Sequence, residues 1–170
     1  SGLSGILFEV LWTRIFTYLL GSTIYSVTAV ITAFLLGLSL GTYWFGRVSD
    51  RHVRPLRLYG LLELGVVLSG VVAFYAFQSA ESLYSALYAW SSPAITKWLV
   101  FLIAFVFVSL SATLVGGTFP VLVRHVVDRD EGLKETLAEL YSVNTLGAAV
   151  GAMLALLMVW QVGYETSYHL

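Results

Sequence analysis

The chain has 170 residues and a formal net charge of −1, and 58% of its side chains are apolar while only 11% are charged. A soluble domain carries about a quarter charged residues, so this composition excludes an ordinary water-soluble surface. The absence of cysteine excludes disulfides, thiolate metal sites and cysteine nucleophiles.

The distribution of apolar residues then decides the class. Each helical span of a bilayer needs about 20 apolar residues in succession. Residues 24–45, 58–78, 98–123 and 141–164 meet that requirement with one charged residue among them, Glu63. The expected fold is all-α: a single polytopic transmembrane helical domain over residues 1–170, with spans at about 1–20, 24–45, 58–78, 98–123 and 141–164. Since the first residue is Ser1 and an apolar segment starts at once, the natural beginning of the chain is expected to lie upstream of it.

The first span contains Glu9 and Arg14. They are five residues apart, about 500° around a helix, and do not share a face closely enough to pair. Arg14 is placed within reach of the external interface, whereas Glu9 lies deeper, where an ionisable group is costly unless paired, protonated or hydrated. Glu9 is therefore either a functional group or a buried structural contact. Gly21, Ser22 and Thr23 form a tight connection, making the first two spans antiparallel neighbours.

The connection after the second span, residues 46–57, holds four arginines in twelve residues. Such clustering marks the cytoplasmic side, so the 47–57 segment and the start of the chain are expected there, in a bacterial inner membrane. By alternation the 79–97 loop is external, the 124–140 loop is cytoplasmic and residues 163–170 lie outside. Helical spacing predicts two surface helices. One covers 81–90, where Leu83 pairs with Leu87 and Tyr84 with Tyr88, and the other covers 128–140, where Leu133, Leu137 and Leu140 share a face.

Within the remaining spans, Glu63 lies close enough to the arginine segment to be its ion partner. Asn144 opens the fifth span, where its amide can bond another helix. Ala33, Gly37 and Gly41, and again Gly147, Gly151 and Ala155, recur every four residues and permit close helix packing. The run from Gly116 to Pro120 is expected to bend or unwind the fourth span, because proline cannot donate the backbone hydrogen bond. His52, His125 and His169 are separate, and no metal spacing is present.

Gly46, Asp50, Arg51 and Arg54 together resemble the signature between the second and third helices of major facilitator superfamily transporters, with Pro55 where a second basic residue would stand. The resemblance implies that the glycine permits close helix contact and that the aspartate and arginines form a charge relay holding the inward gate. A wider set resembles the membrane domain of spermidine-synthase-like membrane proteins. It comprises residues 8–14, 21–23, 33–41 (Ala33 to Gly41), 117–120 and 140–147 (Leu140 to Gly147). In that family a transporter-like helical domain often precedes a soluble aminopropyltransferase-like domain. No glycine-rich turn after a strand pattern and no polyamine-binding aspartate cluster occurs in these residues, so no catalytic residue, enzyme activity or cofactor is assigned.

Two functions are carried forward. One is a transporter-like membrane module, half of a major facilitator-like fold, in which Glu9 and Glu63 face a hydrated cavity and Asp50 and Arg51 control gating. The other is a non-catalytic accessory subunit of a larger membrane complex. The expected partners are the lipid bilayer and other membrane chains or a second copy of this one, but not nucleic acid. An odd number of spans points the same way, since helical transporters are built from paired repeats.

Overall fold

The computed structural model describes residues 1–20, 23–51, 54–127 and 133–167. Among these it is entirely helical: α1 (Gly2–Leu20), α2 (Thr23–Arg51), α3 (Pro55–Gln78), α4 (Ala80–Tyr88), α5 (Pro93–Val127) and α6 (Leu133–Ser167). Helix is the expected solution for such apolar runs, because hydrocarbon supplies no partner for backbone N–H and C=O groups and each helix satisfies its own. Hydroxyl groups follow the same rule. Thr28 and Thr32 of α2 donate to the carbonyls of Ile24 and Thr28, and Ser39 to that of Leu35.

Among the described residues, α2, α3, α5 and α6 are long and apolar enough to cross a membrane, which makes the chain an integral membrane protein. Their outward surfaces agree. Leu61, Leu64, Val67 and Leu68 of α3 and Leu146, Met153, Leu156 and Met158 of α6 are all exposed, an arrangement suited to lipid. α1, the first of the five expected spans, has 19 residues and is not among these four. The short α4, nine residues, reaches only about 14 Å at 1.5 Å per residue and does not cross; it matches the surface helix expected near 81–90.

Four expectations change. The second span does not stop at residue 45: α2 runs on to Arg51, so Gly46, Asp50 and Arg51 stand on helix rather than in a loop. The helix expected at 128–140 is not separate. Residues 133–140 are the first two turns of a continuous 35-residue α6, while 128–132 lie outside the described residues. At its far end α6 continues to Ser167, past the predicted boundary at 164. Finally, of the bend or unwinding expected at Gly116–Pro120, the unwinding does not occur: α5 is continuous helix from Pro93 to Val127.

α5 is the central element, packed on α1, α2, α3 and α4, while α6 packs chiefly on α1. One core joins Trp12, Ile15 and Phe16 of α1 to Val30 and Ala33 of α2, Ala73 of α3 and Ala104 and Val108 of α5. Aromatic pairs knit it: the Trp12 and Phe107 rings are 5.5 Å apart and Phe16 meets Phe101 edge-on at 6.1 Å. A second cluster, Leu58 and Leu62 of α3 with Val121 of α5, lies near the arginine-bearing end. Gly5 of α1 neighbours Phe34 while Phe16 shares the core with Val30, so α1 and α2 are antiparallel, as the short connection requires.

The α2 and α5 pairing is parallel. Gly37 faces Ser109 and Thr113, Gly41 faces Thr113 and Gly117, and Gly46 faces Pro120. Both helices contribute glycine to it. A Cβ at Gly41 would collide with the Thr113 carbonyl oxygen, and one at Gly116 would lie 2.7 Å from Leu38 Cα. The repeat at Ala33, Gly37 and Gly41 is thus the α5-facing stripe of α2. The second repeat faces α1, with Gly151 set so that a Cβ would lie 2.7 Å from the Leu3 carbonyl oxygen.

Candidate functional site

Pro120 organises the site. Its nitrogen carries no hydrogen, so the carbonyl of Gly116, four residues earlier, loses its usual helical donor. Thr42 on α2 fills that place, its hydroxyl donating to the Gly116 oxygen at 3.1 Å. Whereas Thr28, Thr32 and Ser39 bond within their own helix, Thr42 bonds across the interface. The glycines let the two backbones approach closely enough for a threonine to reach, and this hydrogen bond keeps α5 helical through its proline.

Thr42 and Gly116 also line a cavity of about 260 Å³ between α1, α2, α5 and α6. Its apolar wall includes Ile6, Phe34, Leu38 and Val115, and its polar groups come from Ser1, Thr42, Thr118 and Asn144. Thr118 is fully buried and donates to the Val115 carbonyl at 2.7 Å. Asn144 accepts a hydrogen bond from the Ser1 hydroxyl at 2.8 Å, which gives it the interhelical role expected from its place in the span. The lining is neutral, suited to water or a small polar solute rather than to an unscreened ion.

Glu63 lies at the same level. Its Oε1 is 3.5 Å from the Ser1 nitrogen and forms no hydrogen bond among the described residues, and Tyr59, one turn earlier on α3, lies beside the carboxyl group. The expected ion pair with the arginine segment is not formed among the described residues. The reason is angular: Arg57 precedes Glu63 by six residues, about 240° away on the helical wheel, and Glu63 looks toward α1. Ser1 thus lies beside both the Asn144 side chain and the Glu63 carboxyl at the edge of the cavity.

Glu9 and Arg14 are not part of this group. Glu9 is half-buried and Arg14 exposed, and neither forms an ion pair among the described residues.

At the arginine-bearing end, Asp50 pairs with Arg124 of α5, Oδ1 to Nε at 3.9 Å, rather than with the arginines of its own segment. The pair ties together the ends of the two helices that form one cavity wall. Because both partners are substantially exposed, it contributes at most about 1 kcal/mol. Arg124 escaped sequence reasoning, since only the parallel α2 and α5 pairing brings residues 74 positions apart into contact. Arg51 and Arg54 are exposed. Nor does Gly46 mediate close contact: a Cβ there would meet nothing nearer than Pro120 Cβ at 3.9 Å. The close approaches are made at Gly41 and Gly37, earlier on the same helix. No group of three or more potential metal ligands occurs among the described residues.

No protein family model, curated protein or solved structure matches the chain.

Proposed function

We propose that this chain is a transporter-like membrane module related to the membrane domain of spermidine-synthase-like proteins and to half of a major facilitator fold. The cavity between α1, α2, α5 and α6 forms part of its solute path. One observation carries the reading: Pro120, inside α5, frees a carbonyl on the cavity wall, and a threonine from the facing helix, also on that wall, donates to it. Irregular backbone at membrane depth is tolerated where it lines a cavity or is buried in protein. Asp50 and Arg124 close the arginine-bearing end, which faces the cytoplasm of a bacterial inner membrane. A second copy or another chain completes the enclosure, since such paths form between two repeats.

Exposed apolar side chains along α6, including Leu146, Met153, Leu156 and Trp160, support a second reading as an accessory subunit that seats this helix against another membrane protein.

The absence of cysteine makes the test direct. Single cysteines replace Thr42, Ala148 and, as a lipid-facing control, Met153 in the membrane-embedded protein, and the rate of reaction with a water-soluble maleimide is measured. The transport reading expects positions 42 and 148 to react faster than 153, and faster still when Asp50→Asn removes the pair with Arg124. Equal, slow reaction at all three positions removes the hydrated path and leaves the accessory role.

A further inference from the structure

The arginines at the end of α2 and the start of α3 are turned outward. Arg47, Arg51, Arg54 and Arg57 are all exposed. Two carboxylates of the same two helices are turned elsewhere: Asp50 is engaged by Arg124, and Glu63 faces Ser1 and Tyr59. The exposed acids Glu135 and Glu139 belong to α6, which packs chiefly on α1. Among the described residues, a local excess of positive charge therefore remains on the α2 and α3 side of the bundle.

That charge sits beside aromatic and aliphatic surface. Tyr43, Arg47 and Arg51 recur at four-residue intervals and share one exposed face of α2, with Trp44 and Val48 beside them and Leu36 further along. The Arg47 guanidinium carbon is 3.6 Å from the centroid of the Tyr43 ring. Stacking of this kind holds a guanidinium by its face and leaves its N–H edges free to donate. Planar, permanently charged guanidinium groups match phosphate oxygens in geometry as well as in charge, and aromatic rings are at home at headgroup level.

We propose that this surface binds anionic phospholipid, with the headgroup phosphate between Arg47 and Arg51, Arg54 and Arg57 adding to the field, and the acyl chains lying along Tyr43 and Leu36. The preference for an anionic lipid follows from charge. A zwitterionic headgroup presents the same phosphate but brings its own ammonium toward four exposed arginines. The site needs only that the chain be embedded in a membrane and is independent of any transport activity.

The test uses the full chain purified in mild detergent and mixed with phosphatidylglycerol or phosphatidylcholine of identical acyl chains, bound lipid being counted by native mass spectrometry. Phosphatidylglycerol should be retained in preference, and added sodium chloride should weaken its retention. Removing Arg47 and Arg51 together, by Arg47→Gln and Arg51→Gln, should lower phosphatidylglycerol retention about thirtyfold, about fivefold per arginine, and leave phosphatidylcholine unchanged. Arg14→Gln, remote on α1, should change neither. Equal retention of both lipids by the unmodified chain overturns the proposal. So does undiminished phosphatidylglycerol binding by a double variant of native helix content. Should that variant lose its helices, the salt series on the unmodified chain decides, and retention insensitive to salt overturns the site.

Discussion

The α2 and α5 interface and the outer face of α6 are made from similar apolar residues yet do opposite things. Where α2 meets α5, glycines on both helices bring backbone against backbone, and a side chain from one helix completes the hydrogen bonding of the other. Along α6 only the stripe containing Gly147, Gly151 and Ala155 turns inward, and the larger residues face outward. Apolar character therefore does not distinguish packing surface from lipid surface in this chain. Small size does, because lipid is as apolar as leucine and association must come from close contact and hydrogen bonds.

The largest effect is expected at Gly41. Gly41→Val drives its side chain into the Thr113 carbonyl and the Gly117 backbone, neither of which can yield without separating the helices. A loss of about 3 kcal/mol, at the upper end for overpacking, should appear as a lower midpoint in reversible unfolding in detergent. A midpoint like that of the unmodified chain would break the contrast at its strongest point.

Gly151→Val strikes the α1 and α6 contact at the Leu3 backbone and should cost about 2 kcal/mol. Because α6 packs chiefly on α1, the loss should be confined to α6, read as faster amide exchange there while α2 and α5 stay protected. Uniformly faster exchange would mean that α6 is integral to the core.

Thr42→Val keeps shape but removes the donor to Gly116. About 1 kcal/mol should be lost, with faster exchange around Pro120. The smallest effect is expected at Gly46, where a Cβ finds only Pro120 at 3.9 Å. Gly46→Ala should therefore be neutral or stabilise by up to about 1 kcal/mol through helix propensity. A loss comparable to that at Gly41 would restore the role that the transporter signature assigns to this glycine.

Pro120 shows how far the sequence could be read. The missing N–H at Pro120 and the orphaned carbonyl at Gly116 follow from residue identity alone. That Thr42 would answer it does not, because the α2 serines and threonines look alike in sequence and differ only in which of them faces α5. Asp50 likewise invited pairing with neighbouring arginines. It found Arg124 because helix continues through Arg51 and presents the carboxylate to α5. The arginines of the 46–57 segment also discouraged extending the helix past residue 45, although arginine is a good helix former and long side chains at a span's end reach water readily.

The sequence by itself determined that this is an all-helical membrane protein, where the apolar middle of each long helix lies and which faces are small enough to pack. These properties follow from local composition and from the need of every backbone group in hydrocarbon for a partner within its own helix. Only the tertiary structure decided that α2 packs against α5, that the orphaned carbonyl is met by Thr42 and that Asp50 belongs with Arg124. Each depends on the relative rotation of two helices. A rotation of 100°, the angle between neighbouring residues, exchanges one facing side chain for another without altering the pattern from which the helix itself is read.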